Sequence, residues 1–323
     1  MTSSHNYGFR PATTPSGAAV RRRRHIGDRQ ATARRLLFAG TAESAYDPDL
    51  DIDWDAAPDP DKNWLPEERI SLYGTRLWRR LSADQRRELG KHELVSMLSV
   101  GIYAQSMLSM LMFRDVVERR ELVDDHTRFT LACIQDESRN STMYSRLVNA
   151  TGLPPYRLPE PLRLLTKFTL WIPKGPGELG FRLLIEEMSA QILRELAADG
   201  RVQPHLRQLT VMHAATSAGH IELAREELLR TIASRGPIGT ALHRWVLATM
   251  TTLAYAVLIH PDVYRAVRIH PIIGVAAAVT GGTYRRNARN ATSTFRRFLR
   301  TEGVLDGSPI HATSGRRSQA GER

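Results

Sequence analysis

Two histidines stand seven residues apart in the stretch VMHAATSAGH, with a serine between them. His213 and His220 are two helical turns apart and Ser217 follows His213 by one turn, so a helix would place all three on one face. Neutral imidazole is a common ligand for iron, manganese and zinc, and carboxylates complete many such sites. The pattern therefore directs attention to acidic residues on other helices that could face the same point.

Two further segments place carboxylates inside helical patterns. In IQDESRNSTMYSRL, Glu137 precedes Asn140 by three residues, and in LLIEEMSAQIL the pair Glu186 and Glu187 interrupts an apolar run. Helical bundles build metal sites from inward-facing Glu and His side chains, with Glu-x-x-His as the recurring unit. Cys133, one turn before Glu137, is more simply interpreted as a buried structural thiol than as a nucleophile. The candidate ligands are thus carboxylates and imidazoles from three helices.

The order of these segments resembles that of one known family. The stretches SLYGTRLWRRLSADQRREL, GIYAQSML, DESRNSTMYSRL, EEMSAQIL and MHAATSAGHIELAREEL follow one another as in the p-aminobenzoate N-oxygenase family of ferritin-like diiron oxygenases. The similarity covers about residues 70–303. The resemblance implies two irons held between helices, activation of dioxygen, oxidation of arylamines or related amines, and a homodimer.

The family pattern supplies a Glu from the first core helix, Glu-x-x-His from the second, a Glu from the third and His-x-x-x-Glu-x-x-His from the fourth. This chain departs from that pattern at three positions, which are occupied by Gln105, Asn140 and Ser217. The resemblance implies that the three lost ligands mostly serve one iron and that the retained ones serve the other. The retained positions, with Glu187 as the alternative to Glu186, are the metal ligands Glu137, Glu186, His213 and His220.

The ligand count favours one metal ion over two. Two ferrous ions carry four positive charges, which the family meets with four carboxylates, whereas Glu137 and Glu186 balance a single divalent ion. Amide and hydroxyl oxygens are neutral, so a second ion would leave uncompensated charge in an apolar core. We therefore expect one iron ion, with manganese as the alternative metal. The competing interpretation is a site without metal, in which Glu137, Asn140, Gln105 and His213 hydrogen-bond to one another.

The elements that would position these residues are helices throughout. The prediction is an all-α, ferritin-like bundle of long helices in a single domain over 61–305. Disordered tails are predicted at both ends, over 1–60, which is rich in arginine and then acidic, and over 306–323. Caps, apolar periodicity and breaks such as PKGPG predict helices over Ser82–Leu89, His92–Glu121, Asp124–Asn149, Leu179–Ala198, Gln203–Ala233, Pro237–Ile259 and Pro271–Thr301.

Composition limits the class of protein and its partners. The net charge is +11, but much of it lies in the stretches RRRRH and RRNARNATSTFRRFLR near the ends. A solvated face explains such runs more simply than a site for nucleic acid or an anionic membrane. The single cysteine cannot form an intramolecular disulfide and suits the cytoplasm. The stretch VSMLSVGIYAQSMLSMLMF is uncharged over the length of a membrane span, yet its serines and glutamine favour a buried core helix.

Three functional hypotheses follow. The first is a metal-dependent oxidoreductase of the diiron N-oxygenase type, which oxidises an amine or aromatic small molecule with dioxygen at a reduced, one-metal site. The second is a non-catalytic relative that uses the bundle to bind a small molecule or a partner protein. Binding of nucleic acid or membrane through the arginine-rich ends is a third and weaker hypothesis. Metal content distinguishes the first hypothesis from the second.

Overall fold

The computed structural model describes residues 29–39, 48–119, 122–167, 169–171, 173–233, 247–251, 254–302 and 304. Over these residues the chain is built from helices. The described part contains no strand, and its one extended pairing is an isolated bridge between Asn63 and Val202. The prediction of an all-α bundle of long helices is therefore confirmed.

The helices differ widely in length, and the four longest contain every residue proposed as a metal ligand. Short 3-10 helices lie at Glu67–Arg69, Thr169–Trp171, Ala254–Val257 and Pro261–Val267. The α-helices are α1 (29–39), α2 (Arg76–Arg80), α3 (Ala83–Val117), α4 (Asp125–Ala150), α5 (Glu160–Lys167), α6 (Pro176–Ala197), α7 (Pro204–Ala233), α8 (247–251), α9 (Pro271–Thr280), α10 (Gly282–Ala291) and α11 (Ser293–Thr301).

The centre of the bundle is formed by α3, α4, α6 and α7. Helix α3 packs along α4, α6 packs along α7, and α4 also contacts α7. Local sequence fixes where these helices begin: Ser82 and Gln85 form a reciprocal capping box at α3, and Asp124 accepts a hydrogen bond from the Thr127 amide at α4. Helix α6 begins with Pro176, whose missing N–H costs nothing in the first turn.

Helix α3 is long and apolar enough to cross a membrane, with a mean hydropathy of 1.5 over its most apolar 18 residues. In this fold it packs against α4 and against the 3-10 helix Pro261–Val267. Its buried side chains include Glu93, Ser96 and Gln105, each of which contacts polar groups of other elements. Its apolar composition thus serves the core of the bundle, as the sequence indicates.

The boundaries of two predicted regions are wrong. The helices predicted over Ser82–Leu89 and His92–Glu121 are one continuous helix, α3. The single helix predicted over Pro271–Thr301 is divided into α9, α10 and α11. The first division lies at Gly281, where the backbone is extended with φ −70° and ψ 143°, and the second lies at Thr292. Short turns of this kind leave the apolar periodicity on either side intact, so the pattern alone does not reveal them.

The prediction of a disordered segment over 1–60 is wrong for its described parts. Residues 29–39 form α1, which buries Ala33 and Leu36 in a cluster with Phe129 of α4. Farther along, Ile52 is buried in the main core. Only a few apolar side chains of this segment reach the core, too few to give a periodic signal in a sequence dominated by charge.

Polar contacts also hold α1 against the bundle. Arg29 forms an ion pair with Glu227 of α7, Arg35 forms one with Glu222, and Gln30 donates to Asp124. Such contacts depend on the partner helix and therefore cannot be read from the local sequence. The rest of the predicted N-terminal tail lies outside the described residues, as do the predicted tail over 306–323 and positions 237–246 and 252–253 of the helix predicted over Pro237–Ile259.

Candidate metal centre

Glu137 of α4, Glu186 of α6 and His220 of α7 meet inside the bundle. One ligand atom of each lies within 4.8 Å of the others, and all three side chains are buried. Nδ1 of His220 is 3.1 Å from Oε1 of Glu137 and 3.5 Å from Oε1 of Glu186. The structure therefore brings together three of the four residues that the sequence indicates as ligands. We call these three residues the metal-ligand group.

Helix geometry explains why these positions face one another. Glu137 lies near the middle of α4, on the face that also carries Cys133, Asn140 and Tyr144, and all four side chains are buried. Helix α6 runs along α7, which brings Glu186 to the level of His220. The side chains of the metal-ligand group stay together in the core because three separate helices position them.

Asp136 orients His220, a role that the sequence pattern does not predict. Nε2 of His220 is 3.2 Å from Oδ2 of Asp136, so the carboxylate accepts the Nε2–H and Nδ1 faces the two glutamates. The ring of Phe129 meets the imidazole nearly at right angles, with 6.4 Å between ring centroids. The two adjacent acidic residues of IQDES, Asp136 and Glu137, are evident in the sequence. That Asp136 contacts His220 depends on how this imidazole of another helix is oriented.

The electrostatics of the group suit a cation. Burial and the neighbouring charge of Glu186 raise the pKa of Glu137. Burial alone would raise the pKa of Glu186, but His220 and Glu137 lower it below its ordinary value. Burial would lower the pKa of His220, yet Cys133, Asp136 and Glu137 raise it well above its ordinary value. Two buried carboxylates thus require positive charge, which a divalent ion can supply in exchange for protons.

One atom of the group has no hydrogen-bond partner. Within the described part of the chain, Oε2 of Glu137 is buried and unpaired. A buried carboxylate oxygen without a partner is costly, and such an atom calls for an ion or a water molecule. Two carboxylates and one imidazole are a donor set that iron and manganese accept. The residues present therefore fit a metal ion.

His213 lies outside the metal-ligand group and is held by other side chains. Its Nδ1 is 2.9 Å from Oγ of Ser217, which also donates to the His213 carbonyl, and its Nε2 is 3.5 Å from Nε2 of Gln105. Its ring stacks on Tyr144, with centroids 5.9 Å apart and planes 7° from parallel. Burial lowers the pKa of His213 to about 4, so the ring is neutral. The contact between His213 and Gln105 is one that the metal-free interpretation of the sequence predicts.

Glu186 and Glu187 have different partners. Glu187 accepts a hydrogen bond of 2.7 Å from Nε of Arg225 of α7, which also forms an ion pair with it. Glu186 instead faces His220. Of the two adjacent carboxylates, Glu186 is therefore the one placed to bind a metal.

The metal-ligand group adjoins a cavity of about 270 Å³, which we call the polar cavity. Glu186, His220 and Cys133 line its inner part. Its outer part is lined by charged side chains, several of which neutralise one another, as in the ion pair between Arg29 and Glu227. Water and small ions have a polar surface along which to approach the group.

Comparison with models of protein families identifies a match. The sequence model of a protein family described as P-aminobenzoate N-oxygenase AurF matches residues 27–303 of the chain. The matched range extends from α1 to α11 and includes every member of the metal-ligand group. No curated protein matches the chain.

Proposed function

Because the chain belongs to the p-aminobenzoate N-oxygenase family, we propose that it is a metal-dependent oxidoreductase that oxidises an amine or aromatic small molecule with dioxygen at a one-metal site. The observation that carries this proposal is the metal-ligand group, in which Glu137, Glu186 and His220 converge and Oε2 of Glu137 lacks a hydrogen-bond partner. Iron is the metal that we expect, with manganese as the alternative.

The residues of the group divide the work of holding such an ion. When bound, the metal would supply the activation of dioxygen. Glu137 and Glu186 supply two negative charges, enough to neutralise one divalent cation in a buried position. His220 supplies Nδ1, and Asp136 keeps the Nε2 proton and the orientation of the ring.

Three substitutions support one ion rather than two. Gln105, Asn140 and Ser217 stand where the family pattern has charged or imidazole ligands, and all three are buried. Ser217 and Gln105 both contact His213, which is neutral in this arrangement. A second divalent ion would lack the carboxylates that balance its charge in the core.

A non-catalytic relative is the second candidate function, and one observation favours it. His213 is held without an ion by Ser217, which contacts its Nδ1 and donates to its carbonyl, and by the amide nitrogen of Gln105. If the metal-ligand group were likewise held by protons on His220, the bundle would serve to bind a small molecule or a partner protein.

Metal content distinguishes the two candidates. The protein would be purified from iron-supplemented cells and its metals measured by elemental analysis, together with Glu186→Gln, His220→Ala and the matched control Glu187→Gln. About one iron or manganese per chain in the wild type and in Glu187→Gln, with loss in the other two variants, would support the one-metal oxidoreductase. Two ions per chain would show that the ligand count is wrong, and none in any protein would favour the non-catalytic relative.

Two further expectations accompany this proposal. The family resemblance implies a homodimer, which light scattering of the purified protein would test. The single cysteine and the burial of α3 in the bundle support a cytoplasmic location, which fractionation of cells would test.

A further inference from the structure

A second cavity lies between α3 and α6, and we call it the apolar cavity. Its volume is about 390 Å³, larger than that of the polar cavity. None of the described residues that line it is charged. Its polar lining side chains are Tyr103, Tyr144, Ser189 and Thr249. The two cavities therefore offer different environments: charged residues line the first, and the described lining of the second is uncharged.

One aromatic ring lies between the apolar cavity and His213. Tyr144 lines the cavity and also stacks on His213. Ile185, the residue before Glu186, lines the same wall. The ring of Tyr144 fits closely because position 101 is glycine: a Cβ on Gly101 would lie 2.7 Å from Cε2 of the ring. A molecule in the apolar cavity would therefore contact Tyr144 of α4 and Ile185 of α6, the two helices that also carry Glu137 and Glu186.

We propose that the apolar cavity binds the substrate, and that the substrate is an uncharged molecule with a large apolar body. This inference rests on the proposed function and names its substrate class. An ionised group would lose its hydration in this cavity without gaining a charged partner from the described lining, which is costly. An apolar cavity of about 150 Å³ can already hold benzene, so 390 Å³ has room for a considerably larger molecule.

The shape of the cavity can adapt to such a molecule. The thioether side chains of methionine are flexible and polarisable, and they conform to apolar ligands of different shapes. Binding pockets for small molecules are typically apolar with a few polar groups that fix orientation, and Tyr144 and Ser189 can serve in that way here. Four methionines from three segments line the cavity, namely Met97, Met107, Met188 and Met250.

The polar cavity is a poorer place for this substrate. Several of its charged side chains are paired, as in the ion pairs of Arg29 with Glu227 and of Arg114 with Glu178. An apolar molecule would separate such groups from water without replacing their interactions. The structure thus assigns water and ions to the polar cavity and the organic substrate to the apolar one.

Binding to the metal-free protein tests this inference independently of catalysis. Nile red, an uncharged apolar dye, would be titrated against the wild type while its fluorescence is measured. Ala104→Phe would fill the apolar cavity from α3, and Ser189→Asp would place a charge in its wall from α6. Each variant should weaken binding by more than about tenfold, whereas Arg182→Gln in the polar cavity should leave affinity within about twofold. Circular dichroism would confirm that the variants are folded.

Competition then tests the charge of the substrate. The uncharged amine 4-butylaniline should displace the dye from the wild type, whereas 4-aminobenzoate at the same concentration should not. Absence of saturable dye binding, equal affinity in all variants, or equal displacement by both competitors would overturn the inference. Each of these results is independent of metal content, so failure here differs from failure of the proposed function.

Discussion

Oδ2 of Asp136 lies 3.2 Å from Nε2 of His220, and the same imidazole faces Glu137 through Nδ1. Asp136 and Glu137 are neighbours in sequence, yet they contact opposite sides of one ring from α7. A carboxylate in this position fixes the tautomer of an imidazole ligand and increases its basicity. The affinity of the metal-ligand group for an ion should therefore depend on a residue that does not itself face the ion.

Substitution Asp136→Ala should weaken metal binding by about 10- to 100-fold, because His220 would lose the acceptor that holds its Nε2 proton. Asp136→Asn keeps an oxygen acceptor and should weaken binding less. Titration of the metal-free proteins with Mn²⁺, followed by calorimetry, measures both effects. Equal affinities in the wild type and both variants would contradict this role for Asp136.

Restoring the family ligands should create a second metal position. The triple substitution Gln105→Glu, Asn140→His and Ser217→Glu adds two carboxylates and one imidazole where the resemblance implies the lost ligands. Elemental analysis should then show about two ions per chain instead of one, since the added charge balances a second divalent ion. Gln105→Glu alone is the control: it adds one buried charge and should lower stability without a second ion. A folded triple variant that still binds one ion would refute the ligand assignment.

Some features of the site follow from the sequence and others do not. Spacing predicts that Glu137 and the histidines of α7 face the core, because residues three, four or seven apart share a helix face. Spacing does not predict that both histidines reach one ion: His213 and His220 are about 10 Å apart along a helix that rises 1.5 Å per residue. Which of them meets Glu186 depends on how α6 is placed along α7, and that is a tertiary property.

The choice between Glu186 and Glu187 shows the same limit. Both lie in an apolar run, and both are buried. Arg225 on α7 pairs with Glu187, 38 positions away in sequence, whereas Glu186 faces His220. The long helices can be predicted because caps and apolar periodicity are local features of the sequence. The partners of buried charges lie on other helices and cannot be predicted in this way.

A buried carboxylate far from the metal-ligand group makes stability depend on pH. Burial raises the pKa of Glu93 to about 7 from 4.5, although hydrogen bonds from Ser71 oppose the change. The folded state therefore binds more protons than the unfolded state between these values, and this stabilisation, complete below pH about 4.5, is lost as pH rises through about 7. The difference corresponds to about 3 kcal/mol of unfolding free energy.

Glu93→Gln should remove this dependence. Relative to the wild type, the free energy of unfolding of the variant should rise by about 2.5 kcal/mol between pH 5 and pH 8, as measured by urea titration. Glu68→Gln is a suitable control, because Arg201 lowers the pKa of Glu68 and keeps it ionised throughout this range. A difference between Glu93→Gln and the wild type that is the same at both pH values would contradict the assignment.

The packing of α9 against the core gives the last prediction. A Cβ on Gly274 would lie 2.2 Å from Cγ of Tyr264, a buried ring whose hydroxyl is 3.0 Å from Oγ of Ser71. The ring is buried and its hydroxyl is held by Ser71, so making room for the new methyl group would disturb this packing. Gly274→Ala should therefore lower the free energy of unfolding by about 1–3 kcal/mol despite the better helix propensity of alanine. Gly282→Ala is the matched control, since among the described residues no heavy atom lies within 4 Å of its Cβ, and it should change stability by less than about 1 kcal/mol. Urea unfolding of both variants measures the contrast, and equal stabilities would show that α9 can shift away from Tyr264 at little cost.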